Sequence, residues 1–505
     1  MIQTRTFKYL RPASWMLMLI FVFVSFQCTE EPYEPDVNGA IKGQVRDAES
    51  GVPLGNVTIT TQPATSVAVT GADGNYIISK VDTGEYSIVA EKTDYNSKIL
   101  SVRVNEKDTS RVVILLSASD NSGTSDISFK DNFMPGQGAE GQAISPTLSW
   151  KAEGDQDVDS IKYDVWLYPS DAPTKRKVAE NITDTSLTVE PLTYNSVYYW
   201  QVSASSNDGK EIYSKTMSFK TKAISENAFF FVKKTGGDYE IMAYDMDRDE
   251  VNPLTFNSFR DWAPKFNPKN GRIAYVSDSR VKPYIYTMDK NSGDIRQVSE
   301  IPVAGYHNYG NAFDWDEDRG KILFSHNQSL YQINSEGTNR TLITKAPDGR
   351  HFREVAVSPD GSQILVLTIG QKIYNSEIRV MDRDGSNEQV LIDSLDGVVQ
   401  SPSWSIDGES ILFTHDVSGN ETEEGRMLNS HIFSLDLATN DTTDLSGNKP
   451  QGTNDMNPRY SPTGAQIIFS NAPNDDSRAP NLYIMDHNGN NREKIVTGGT
   501  LPSWE

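Results

Sequence analysis

Short runs built on a two-residue hydrophobic alternation dominate this 505-residue chain, "GEYSIVAE" (84–91) and "RIAYVSD" (272–278) among them. Side chains that alternate between a buried and a solvated face mark a strand in a half-covered sheet. Long stretches with the 3.6-residue period of an amphipathic helix are hard to find. Residues that turn the chain separate the runs, and the sequence holds 35 Gly and 24 Pro. Abundant Tyr and Phe, 22 and 19 residues, add to the preference for strands. The pattern predicts an all-β protein, and the length predicts several domains rather than one core.

From about residue 226 to 505 the pattern repeats. Five units open with an aromatic or apolar residue, a Pro/Asp/Gly turn and a strand: "PKFNPKNGRIAYVSD", "AFDWDEDRGKILFSH", "VAVSPDGSQILVLT", "PSWSIDGESILFTH" and "PRYSPTGAQIIFSN". The marker positions Phe266, Trp315, Val357, Trp404, Tyr460 and Trp504 are spaced by 49, 42, 47, 56 and 44 residues. The second halves, such as "EIRVMDRDGSNEQVLI" and "NLYIMDHNGNNREKIV", read as a strand, a Gly- or Asn-rich hairpin and a returning strand. Four antiparallel strands at this period are the signature of propeller blades, which bury their faces only by stacking around an axis. The segment beginning "AFFFVKKTGGDYEIMAYD" (228–245) supplies three strands of a blade and lacks the opening one, while "LPSWE" (501–505) supplies an opening strand alone. Joined, they predict a six-bladed propeller closed by the C-terminal strand, with Trp504 in the place that Trp404 holds in its own blade. The words "SPDG", "YIMDHNGNN" and "VMDRDGSN" resemble the TolB-type β-propeller repeat over roughly 226–505. The α/β domain that precedes the propeller in that family is replaced here by other modules, so its partner-binding residues are not carried over.

Two small β-sandwiches are predicted ahead of the propeller. Residues 38–118 hold short β-branched and aromatic runs, with Asp73-Gly74 as a hairpin signal, and read as an antiparallel sandwich of about seven strands. The stretches "GQVRDAESGVPLGNVTI", "ADGNYII" and "TGEYSI" closely resemble the carboxypeptidase-regulatory-like domain, which implies a non-catalytic spacer or adhesion module. A polar linker, "SDNSGTSD" (119–126), follows. In 127–223, Trp150 on an early strand and Tyr198-Tyr199-Trp200 on a later one predict the second sandwich, and the pattern is similar to a bacterial fibronectin type III domain. "GQGAEG" (136–141) fits G-x-G-x-x-G, but it precedes a strand rather than opening a helix, so no dinucleotide site is expected.

The N-terminus changes the picture of location. Residues 1–27 carry Arg5, Lys8 and Arg11, then the apolar run "WMLMLIFVFVSF" (15–26), the layout of a signal peptide. The only cysteine, Cys28, follows, and the acidic linker 28–37 comes after it. This resembles a bacterial lipoprotein signal in which the cysteine becomes the lipidated first residue, although Phe26 and Gln27 stand where that signal has small residues. "CTEE" resembles the surface-export signal of Bacteroidetes lipoproteins. The resemblance implies an outer-membrane protein held by a lipid anchor and facing outward, with the periplasmic face as the alternative.

Net charge is −22, which repels phosphate backbones and excludes nucleic acid as a partner. The six histidines show no H-x-x-x-H spacing, and there is no G-x-S-x-G elbow. Acidic turns at 245–250 and 381–387 lack the Gly and Glu pattern of a calcium loop and read as hairpins, so no cofactor or structural calcium is expected. Function is expected in the long loops, among them "IPVAGYHNYGN" (301–311) and "KAPDGRHFRE" (345–354). Tyr306, His307, Tyr309, Arg350, His351 and Phe352 concentrate aromatic and basic groups there, which marks them as candidate binding contacts. The favoured expectation is a non-catalytic platform for a protein partner or envelope assembly, with the sandwiches as a stalk. The alternative is a glycan-binding or polysaccharide-degrading propeller, for which His and carboxylates clustered in the central funnel would be the sign.

Overall fold

A computed structural model describes residues 38–504 apart from 64, 66–67, 93–94, 119–126, 154–160, 170–175, 206–210, 306 and 308–309. The signal segment, Cys28, the acidic stretch 28–37, the linker 119–126, Tyr306 and Tyr309 lie outside the described residues. Among the described residues there are strands and turns but no helix. Two compact units are present, one built by residues up to 92 and 98–116, the other by 93–97 and 117–505.

The first unit is a seven-stranded sandwich. One sheet orders Asn75–Val81, Gly39–Asp47 and Thr109–Leu116, and the other orders Ala68–Val69, Thr58–Gln62, Gly84–Glu91 and Lys98–Val104. Along Thr109–Leu116, Ile114 and Leu116 are buried while Val113 and Leu115 are exposed, the alternation of a strand covered on one face. Two expectations are corrected. Gly39–Asp47 runs parallel to Thr109–Leu116, so the sandwich is not wholly antiparallel. Asp73-Gly74 joins strands of different sheets and is a corner, not a hairpin.

In the second unit, residues 127–223 centre on strand Val197–Ser205, flanked by Lys162–Pro169 and Met217–Thr221. Trp200 is fully buried and meets Phe133 edge-on, and Trp150, just after strand Thr147–Ser149, meets Tyr163 edge-on. Aromatic pairs of this geometry add packing energy beyond the area they bury.

The rest of this unit is a propeller of six four-stranded sheets. The innermost strands are Asp261–Asn267, Phe313–Asp316, His351–Val357, Val399–Trp404, Thr453–Tyr460 and Thr500–Ser503. The last of these pairs antiparallel with Ala228–Thr235, through Phe230 with Ser503 and Val232 with Thr500, so the C-terminal strand completes the first blade and closes the ring. Trp504 is 8 % exposed and packs against Phe229 at 5.9 Å between ring centroids. The repeat is also visible in the outer hairpins, where Gly337, Gly385 and Gly489 hold φ of +81°, +86° and +85°, a region open chiefly to glycine. Marker indoles stitch neighbouring blades: Trp315 Nε1 donates to Lys265 O at 2.8 Å and Trp404 Nε1 to Ala356 O at 3.3 Å.

The second sandwich is not a separate stalk segment. Ile144, Tyr194 and Ile224 share a core with Phe230, Ile241, Ile273 and Met288 of the first two blades. The Tyr194 hydroxyl donates to Pro253 O at 2.9 Å, its backbone N–H donates to Asn291 O at 3.0 Å, and Lys222 pairs with Glu250 at 2.8 Å.

Candidate functional site

Each innermost strand runs from one face of the ring to the other. Its start lies with the blade-joining loops and the second-to-third-strand loops; its end leads into the short Pro/Asp/Gly turns. The loop-bearing face is therefore where long, variable segments meet the central channel. In four blades the innermost strand is broken near its start by the same device. Ala263, Ser401, Asn457 and Leu501, each followed by Pro, hold φ of +53°, +59°, +54° and +49°. Proline has no N–H for the ladder, and pairing skips at Trp262/Lys265, Gln400/Ser403 and Met456/Arg459. Non-glycine residues in the left-handed region are strained and persist where surrounding packing fixes them. Ala263, Asn457 and Leu501 line one small cavity among the innermost strands.

The predicted contacts divide. His351 opens the innermost strand of its blade, partly buried. Phe352, expected as an exposed contact, is fully buried and packs in the core with Phe313, Phe324 and Trp315. Arg350 is also turned inward: it pairs with Glu377 at 3.0 Å and donates to Thr368 Oγ1 at 3.0 Å and Asn375 Oδ1 at 3.1 Å, with its side chain 11 % exposed. The reason is local. The strand begins at His351, inside what reads as loop, and its first alternation sends Phe352 between the blades. His307 is described, at φ +52°; burial holds its imidazole below the usual value, with the Arg353 charge adding to this.

A different part of the same face holds a pocket of about 470 Å³ between the first two blades. Val232 and Tyr239 supply one wall, Arg260 and Trp262 a second, Val281 and Pro283 a third, and Thr500 and Leu501 of the closing strand the fourth. Ring closure thus builds the site as well as the fold. Gly310 passes over the Trp262 ring, where a Cβ would fall 2.9 Å from the indole; at φ +89° this position is suited to glycine on both counts. The Arg260 guanidinium lies over Trp262 at 5.8 Å and pairs with Asp278 at 2.6 Å, and Lys234 lies over Tyr239 at 5.9 Å. Beside this wall, Thr255 donates to the buried Glu240 carboxylate, and Asn257 donates to buried Asp261 at 2.7 Å. Burial pushes the Glu240 carboxyl up to about 7 and also raises Asp261. Sequence reasoning missed this pocket because most of its walls come from strand ends and short loops at 232–239, 260–262, 278–283 and 500–501; of the long loop 301–311 only Asn311 lines it. The signal available was the exposed apolar content of "FNSF" (256–259) and "RVKP" (280–283).

At the opposite end of the channel a cavity of about 300 Å³ is collared by the marker residues Trp315, Trp404, Tyr460 and Trp504. Lys265, 3.5 Å from Asp314, and Arg459 enter it with Glu317, whose carboxyl is raised by burial and then by Asp314. Among the described residues, no three His, Cys, Asp or Glu side chains are arranged to hold a metal ion. The histidines are dispersed: His326 bonds Pro302 O, His415 bonds Asp396 O, and His431 bonds Asp444. The turn at 245–250 spends the Asp245 carboxylate on the N–H groups of Asp247 and Arg248 and on the Arg248 guanidinium.

Residues 40–117 match the carboxypeptidase regulatory-like domain family. A 110-residue stretch, 22 % of this chain, is 28 % identical to the Tol-Pal system protein TolB of Francisella tularensis subsp. mediasiatica and to that of subsp. holarctica. The match spans 22 % of the length of those relatives. Among solved structures, TolB from Acinetobacter baumannii aligns with a TM-score of 0.44 at 16 % identity, over 63 % of this chain and 80 % of that one. A TolB homologue from Agrobacterium tumefaciens aligns at 0.41 and 17 %, over 54 % and 90 %. The oligogalacturonate lyase of Vibrio parahaemolyticus aligns at 0.36 and 10 %, over 54 % and 72 %.

Proposed function

We propose that this chain is a lipid-anchored outer-membrane protein whose propeller is a non-catalytic binding platform for a protein partner in a cell-envelope assembly. The observation that carries this reading is the pocket between the first two blades: a rigid aromatic concavity on the loop-bearing face, large enough for an anchoring side chain. Exposed Phe256, Phe259 and Val281 beside it extend the apolar surface. The likeness of one stretch to proteins named for the Tol-Pal system supports a role within a multi-protein system. The anchor rests on Cys28 and the apolar run before it.

The test is cross-linking in native membranes followed by purification under denaturing conditions. The expected result is a discrete cross-linked protein whose yield falls in Trp262→Ala, and release of Cys28→Ala protein from the membrane fraction. Absence of any discrete adduct would overturn the platform. Retention of Cys28→Ala protein in the envelope would overturn the anchor.

A further inference from the structure

Charge on the loop-bearing face is uneven. The whole chain carries 69 acidic and 47 basic residues. The three loops around the blade-one/blade-two pocket reverse that balance. Residues 234–239, 254–260 and 278–283 hold Lys234, Arg260, Arg280 and Lys282 against Asp238 and Asp278, while Lys233 lies on the other side of its strand, near Gly498. Asp278 is already paired with Arg260. Glu240 and Asp261, the acids nearest in sequence, are buried behind the loops. By contrast, the loop 416–430 of the fifth blade carries Asp416, Glu421, Glu423 and Glu424 against Arg426. Arg280 and Lys282 are exposed on either side of Val281, which is 93 % exposed, and Phe256 and Phe259 are 40 % and 43 % exposed. Val281, Phe256 and Phe259 thus present apolar side chains to solvent beside these cations.

Resting on the platform reading above, we infer that this pocket takes an acidic, extended segment of a partner protein that inserts one bulky apolar side chain between Trp262, Tyr239 and Leu501. The basic rim gives the attraction, in a protein whose remaining surface repels acidic chains. The concavity gives the anchor. A pocket of about 470 Å³ has room for an aromatic or branched aliphatic side chain with its backbone across the rim. The Arg260–Asp278 pair, stacked on Trp262, offers donors and an acceptor to that backbone. An anionic membrane would also be drawn to cations and Val281, but a lipid surface has no use for a walled cavity, so the pocket favours the peptide.

The probe is a fluorescein-labelled peptide of Glu, Asp and Ser with a central Phe-Leu pair, titrated by anisotropy into the full chain at low and high salt. Binding should weaken with salt. It should fall about tenfold or more in Arg280→Glu/Lys282→Glu and in Trp262→Ala, and equally when Phe-Leu is replaced by Ser-Ser in the peptide. Arg280 and Lys282 are exposed, so their double variant should melt like the parent and serves as the folding control. Equal binding by parent and double variant overturns the inference. So does binding of phosphatidylglycerol-containing vesicles that needs Arg280 and Lys282 while the peptide stays free. If the membrane cross-link persists undiminished in Arg280→Glu/Lys282→Glu, the acidic-segment assignment fails while the platform reading stands; if no adduct forms in the parent, the platform reading fails.

Discussion

Glu240 shows how a single residue on this face is held at a cost. Its carboxylate is 7 % exposed and is served by Thr255, yet burial leaves its pKa near 7, above the ordinary 4.5. The folded protein therefore keeps a proton that the unfolded chain has released between about pH 4.5 and pH 7. Stability from this group is greatest at the acid end of that window, falls as pH rises through it, and stays low above pH 7. Asp261 is raised in the same direction, again chiefly by burial, and adds to the fall. Glu240→Gln removes the charge while keeping an acceptor for Thr255. It should be more stable than the parent at pH 8, by about 1 kcal/mol once screening is allowed for, and no more stable at pH 5. Urea unfolding at the two pH values checks this, and parallel pH profiles would refute it. Residue-scale features of this kind were the least legible in the sequence. Nothing in "GGDYEIM" separates Tyr239, which faces the pocket, from Glu240, which faces inward, until the strand's phase is known. The same uncertainty of one residue turned Phe352 from expected contact into core, because the strand starts three residues before the predicted loop ends.

At the scale of elements the sequence was far more transparent, and the closing strand explains why. Strand period, turn chemistry and a repeat in phase all point the same way, so the match of "LPSWE" to "SPSWS" is enough to assign it. What the repeat did not reveal was the left-handed residue before each inner-strand proline, since Ala263, Ser401, Asn457 and Leu501 share a conformation but no chemistry. Thr500–Ser503 carries three duties. It pairs with Ala228–Thr235, it delivers Trp504 to the seam with Phe229, Ile468 and Leu482, and it places Leu501 in the pocket wall. Trp504→Ala empties the seam and should lower stability by about 3 kcal/mol, with Trp504→Phe losing less. Removing Leu501–Glu505 should go further, exposing the edge of Ala228–Thr235 and lowering the propeller's melting temperature markedly. Thermal melts of the three variants decide it; a truncated chain that melts with the parent would show that the ring does not depend on its clasp.

At the scale of the molecule, module boundaries read from the sequence say nothing of how the modules pack. Composition shifts near residue 224 where the second sandwich gives way to the propeller, which looks like a boundary, but a boundary in sequence need not be a joint in space. Tyr194 is the bolt. It is 1 % exposed, it shares a core with Phe230 and Tyr275, and its ionisation is pushed up by burial and then by Glu250. No periodicity could have announced this, because the contact joins a loop of one module to the outer strands and hairpins of another. The consequence is that the second sandwich and the propeller should open as one cooperative unit, since neither buries Tyr194 alone. In hydrogen exchange followed by mass spectrometry, strands Val197–Ser205 and Asp261–Asn267 should lose protection at the same urea concentration in the parent. Tyr194→Phe, which forfeits only the bond to Pro253 O, should cost about 1 kcal/mol and keep the two together. Tyr194→Ala should separate them, with the sandwich strand opening first. If the strands already open separately in the parent, or stay coincident in Tyr194→Ala, the shared core does not couple the two modules.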